Sequence, residues 1–97
     1  MNEPDTFKII IQELIDLKER KSGDYQNSWR SLGIQGIYYQ LARKFTRLWI
    51  NKDRNEKELN FEMLRDTLVD MAVYSIMAIQ LFDEKDTKDK IDSILKQ

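Results

Sequence analysis

The sequence predicts an all-α protein: a small helical bundle of three main helices plus a short C-terminal helix, completed by homo-oligomerisation. Three observations carry that expectation. Apolar residues recur at three- and four-residue spacing along most of the chain. One proline and three glycines in 97 residues leave few places where a helix must stop. A composition 41% hydrophobic and 34% charged is that of a globular domain, neither disordered nor membrane-spanning.

The first helix is expected over residues 5–20, with Pro4 just before it and Asp5 or Thr6 as N-cap. Phe7, Ile10, Ile11, Leu14 and Leu17 form its core face, while Glu13, Asp16 and Arg20 lie on the other side. Ser22-Gly23 ends it. The motif-bearing segment 21–33 follows, holding a short helical turn from Asn27 to Leu32 closed by Gly33. A second helix begins at Ile34 or Gly36 and runs to Asn51. Its stripe is Ile34, Ile37, Tyr38, Leu41, Phe45 and Leu48, with Gln40, Lys44, Arg47 and Asn51 on one shoulder. The charged run from Asn51 to Asn60 reads as a solvated connection.

The third helix is expected over residues 58–83 and is the longest. Phe61, Leu64, Leu68, Ala72, Ile76 and Ile79 make the expected core face. Met63, Val73, Tyr74, Met77 and Leu81 make the opposite side apolar as well. A helix apolar around most of its girth is buried on two sides, and in so short a chain the second cover is another subunit. After a turn at Asp83–Asp86, a final helix over residues 87–95 carries Ile91, Ile94 and Leu95. No repeat or low-complexity tract interrupts the chain, so residues 1–97 read as one domain.

Composition also excludes classes of function. A net charge of −1 gives no case for holding a long nucleic-acid backbone, which needs a strongly basic surface. No cysteine means no disulfide, thiolate metal site or cysteine nucleophile. No histidine removes the commonest general base and transition-metal ligand, so Ser22, Ser28 and Ser31 have no triad to join. Any metal chemistry must use carboxylates, which points to magnesium or manganese. Gly23, Gly33 and Gly36 match no phosphate-loop fingerprint. No apolar run is long enough to span a membrane and no signal-peptide pattern opens the chain, so a cytoplasmic protein without membrane partners is expected.

The candidate chemistry gathers in two places. Tyr25 and Trp29 stand four residues apart among Lys21, Asp24, Asn27 and Arg30. Aromatic faces beside cations and amides suit a ligand flat at one end and anionic at the other, such as a nucleotide. The alternative is that both rings plug the bundle as hydrophobic packing. The second place is Asp66 and Asp70, one turn apart on a helix face that otherwise holds Met63, Val73 and Met77. Carboxylates there need neutralising: by Lys44 and Arg47 in an ion network, by a divalent cation, or by hydrogen-bond donors of a ligand. Lys44 and Arg47, three apart, suit phosphate oxygens, or snorkel to water.

Lys21, Asp24-Tyr25, Ser28-Trp29, Gly33, Lys44, Arg47-Leu48, Asp66-Thr67-Leu68, Asp70 and Tyr74 together form a pattern that resembles a small all-α family. This is the nucleotide modification associated domain, type 1, common in bacteriophages and prophages. The resemblance runs over residues 18–79. The family typically has Asp-Tyr-Gly before the Ser-Trp pair, where this chain has Gln26. A more distant likeness is to MazG-like nucleotide pyrophosphohydrolases, with Asp66 and Asp70 in place of their second acidic motif. Their first, Glu-Glu-x-x-Glu, is missing; Glu13, Asp16 and Glu19 are spaced differently.

The resemblance implies a phage-type protein that handles nucleotides. One reading is a binder that sequesters a nucleotide-derived immune signal, a cyclic dinucleotide or cyclic ADP-ribose variant, without turnover and without a cofactor. Lys21, Asp24, Tyr25, Trp29, Arg30, Lys44, Arg47, Asp66, Asp70 and Tyr74 would then form the site. The rival is a nucleoside triphosphate pyrophosphohydrolase holding Mg2+ on Asp66, Asp70 and a first-helix acid. The third is a structural partner with no small ligand.

Overall fold

The computed structural model describes residues 3–24, 29–54 and 60–96, with side chains for all of these except 3–4, 21–24, 29 and 32. Three helices make up the described chain: α1 (Glu3–Asp24), α2 (Trp29–Asn51) and α3 (Phe61–Leu95). No membrane-length apolar helix occurs among the described residues.

The first two helices are longer than the periodicity suggested. α1 begins at Glu3, so Pro4 lies inside its first turn, where a missing N–H costs nothing. It also continues past Ser22-Gly23 to Asp24, because an isolated glycine weakens a helix by only about 1 kcal/mol and does not oblige it to stop. Lys21 and Asp24 therefore occupy the last turn of a helix, not a loop. α2 starts at Trp29 and is broken at Gly33 (φ 65°, ψ −179°), so the regular helix follows from Ile34. Asn27 and Ser28, and Tyr25 with them, lie outside the described residues.

α3 departs most from expectation. Its 35 residues are continuous, and the separate short C-terminal helix does not exist. The run from Asp83 to Lys90 has no glycine or proline; its Glu and Lys are good helix formers, and Asp86–Lys90 adds an i, i+4 ion pair at 3.0 Å. At the other end Asn60 caps the helix, its side-chain oxygen accepting from the Met63 N–H at 2.9 Å.

Packing inverts the two faces of α3. Val73, Met77 and Ala78 are buried with Ile37 of α2, and Leu14, Leu17, Ile34, Leu41, Tyr74 and Leu81 pack around them. The face expected to be core is instead open: Phe61 is 61% exposed, Leu68 55% and Ile79 58%. An all-round apolar helix offers two candidate faces. The one that turned inward carries Asp70 and Thr67, because α2 supplies a cation for the acid. Thr67 is buried with its hydroxyl donating to the Met63 carbonyl at 2.8 Å.

α2 runs antiparallel to α3. Its start meets the far part of α3 through the Arg30–Glu84 pair, and its end meets the near part through Lys44–Asp70. α1 packs more lightly on α3, tied by a two-point pair from Arg65 to Glu13 at 2.9 and 2.6 Å. On α2 itself, Tyr38 and Phe45, expected in its core stripe, are about half exposed.

Candidate functional site

The end of α2 and the first turns of α3 form a shallow, solvent-open groove with about 550 Å³ of empty space, lined by Arg47, Asn60, Glu62, Met63, Asp66, Thr67 and Asp70. Antiparallel pairing is what sets it up. The helical stripe that buries Ile37 and Leu41 carries Lys44 and Arg47 onto the same shoulder, one turn apart. On α3, i, i+4 spacing puts Asp66 and Asp70 opposite them.

The four charged groups do not behave alike. Lys44 Nζ lies 3.0 Å from Asp70 Oδ2, with the two side chains only 12% and 29% exposed. Asp70 lines the groove, and Lys44 stands behind it. Arg47 and Asp66 are exposed, and neither makes an ion pair or side-chain hydrogen bond among the described residues. Arg47 is anchored through its backbone, its carbonyl accepting from Asn51 Nδ2 at 2.7 Å. At the first turn of α3 the helix dipole favours an anion, while the Met63 N–H is already held by Asn60 and the Glu62 carboxylate lines the groove.

The groove thus offers a guanidinium with no ion-pair partner among the described residues, and the carboxylates of Glu62 and Asp66. That combination accepts a ligand with an anionic part and hydroxyl or amine donors. It does not fit a magnesium centre. Glu62, Asp66 and Asp70 all line the groove, but Asp70 already carries an ammonium where a cation would sit, and no group of three or more acids among the described residues is placed to hold a metal ion. The first-helix acids lie elsewhere. Glu13 is held by Arg65, whose hydrogen bonds keep its carboxyl below the usual range, and Asp16 accepts from Gln12. No described α1 residue lines the groove.

The remaining sequence candidates fall at the other end of the bundle. Arg30 pairs with Glu84, which holds the arginine's pKa up and the glutamate's down. Glu84 is fourteen residues along α3 from Asp70, about 21 Å of helix. The described half of the segment therefore does not converge with Lys44 and Arg47 inside one chain. Trp29 opens α2 at that far end; its side chain, like those of Lys21, Asp24 and Tyr25, lies outside the described set. Tyr74 packs against the core, a turn beyond Asp70. Asn60 and Glu62 line the groove and were missed by sequence reasoning. The signal available was the Asn60 cap, three residues before Met63, which marks where α3 must begin.

The sequence profile of a family described as nucleotide modification associated domain 1 matches residues 21–81. That is well over half of the chain. The chain belongs to this family. The span shared with the nucleotide modification associated domain 1 family takes in Lys44, Arg47, Asp66 and Asp70 together with the buried core. It ends at Leu81, which packs against the buried core. No curated protein and no solved structure gives a significant match.

Proposed function

We propose that this protein binds a nucleotide or nucleotide-derived molecule in the groove between α2 and α3 and holds it without turning it over. The observation that carries the reading is that Arg47 and Asp66 line one groove beside the α3 start and make no ion pair among the described residues. A phosphate would take Arg47 and the first-turn N–H groups, and ribose hydroxyls or base amines would donate to Asp66. Lys44 and Asp70, already joined, would shape the wall and bias the local field. The family description supports a nucleotide as the ligand class. In the phage setting that the motif pattern implies, sequestration of a host immune signal of the cyclic dinucleotide or cyclic ADP-ribose type is the role that needs binding alone.

Mixing the purified chain with a panel of mononucleotides, cyclic dinucleotides and cyclic ADP-ribose variants tests this. Heat denaturation followed by mass spectrometry of the released compound should return at least one ligand intact. Arg47→Ala should weaken that ligand's binding about ten- to a hundredfold, the worth of one charge-assisted contact. Pyrophosphate released from nucleoside triphosphates with magnesium would overturn the reading in favour of a pyrophosphohydrolase. Retention of nothing from the panel would leave the groove as ordinary surface.

A further inference from the structure

We infer that a second copy of this chain covers the exposed face of α3, packed antiparallel about a two-fold axis near Ala72. The first ground is area. The chain exposes 7633 Å², whereas a compact monomer of 11.7 kDa exposes about 5,900 Å². Its radius of gyration is 17.2 Å, against about 12.5 Å for a compact domain of this length. The excess of about 1,700 Å² is what one subunit contributes to an obligate dimer, where total interfaces run from about 2,000 to 5,000 Å².

The second ground is the pattern of the face. Phe61, Leu68, Ala72, Ile79 and Phe82 fall within one narrow sector of α3 by helical spacing. Phe61, Leu68, Ile79 and Phe82 are all more than half exposed. About Ala72 the series is roughly symmetric, except that Ile79 has Arg65 as its counterpart. Phe61 and Phe82 close it, Leu68 and the neighbouring Ile76 stand inside them, and Ala72, the smallest, lies in the middle. An isologous contact places the same patch on both partners, residue i against j and j against i. Reversed on itself about Ala72, this stripe sets Leu68 against Ile76, brings Phe61 beside Phe82 and Asp83, and lays Ile79 along the aliphatic stem of Arg65, with the alanine allowing the backbones to approach. The face lies on the opposite side of α3 from the groove, so this inference stands whether or not the groove binds a nucleotide.

Absence of native cysteine makes the test direct. Light scattering on a sizing column should give twice the chain mass over a wide concentration range. In an antiparallel pair only positions near the axis meet themselves. Oxidised Ala72→Cys should therefore form a covalent dimer, and Phe61→Cys alone should not. Phe61→Cys mixed with Phe82→Cys should cross-link to each other. Leu68→Glu should halve the mass; should that variant fail to fold, the conservative cysteine series decides. A wild-type chain that stays at single-chain mass overturns the proposal. So does Phe61→Cys self-linking as fast as Ala72→Cys, which means parallel packing. Cross-linking at Thr46→Cys, on the exposed side of α2, with none at Ala72→Cys would assign the interface to the α2 aromatic face instead.

Discussion

Gly33 adopts φ 65° with ψ −179°, a region that is open to glycine and strained for every other residue. No atom lies within 4 Å of where a Cβ would stand, so a substitution there meets backbone strain and no clash. Gly33→Ala should cost about 1–3 kcal/mol by chemical denaturation, and Gly33→Ser about the same. A much larger penalty for the serine would mean that space, not torsion, is limiting. This residue was legible from the sequence as a helix stop. Asp70 was legible only as a problem, a carboxylate on an apolar face. Its partner could be chosen once α2 and α3 were known to run antiparallel, which is a tertiary fact. Asp70→Asn leaves the Lys44 ammonium with little water and no counter-charge, and should cost about 1–3 kcal/mol. The double change Lys44→Met with Asp70→Leu should cost less than either single change, since an apolar pair removes the desolvation that the ion pair must offset. Equal or greater loss in the double variant, read from the same denaturation curves, would contradict that account.

At the scale of elements, the helices could be read because 3.6-residue periodicity survives in all of them. Their ends and faces could not. Polarity made the run from Asp83 to Asp86 look like a turn, but polarity reports solvation and not backbone shape. Without glycine or proline, a string of Glu, Lys and Asp stays helical. The two faces of α3 were exchanged for a related reason: hydrophobic pattern says how many sides are apolar and not which one meets α2. The last turns of α3 have a consequence of their own. Ile91, Ile94 and Leu95 are all more than half exposed, so this arm contributes helix without core. Asp89→Pro should remove helical circular dichroism from the final turns, since proline clashes with the carbonyl four residues back. The denaturation midpoint should scarcely move, because little of the core depends on that arm. A midpoint shift as large as that of a core substitution would show that something covers the arm in solution.

The whole molecule is an elongated bundle, 63 Å by 31 Å by 24 Å, whose helices are tied at three levels by ion pairs among the described residues. Lys44–Asp70 is half-buried, while Arg30–Glu84 and Arg65–Glu13 are exposed. With no histidine, no unperturbed side chain titrates between about pH 5 and 8, and stability should be flat there. In acid the two glutamates matter. Hydrogen bonds from Arg65 and Arg30 lower the pKa of Glu13 and Glu84 below their ordinary value, so the unfolded chain takes up protons first as pH falls. Their contribution is therefore fully present above the ordinary glutamate value of about 4.3 and is lost as pH drops through the lowered folded value. Thermal midpoints measured from neutral pH downward should hold level and then fall in that window. Glu13→Gln combined with Glu84→Gln should flatten the acid limb of the profile. High salt should do part of the same, because both pairs face solvent and are screened. An acid limb of unchanged steepness in the double variant would contradict the assignment of the limb to these two glutamates.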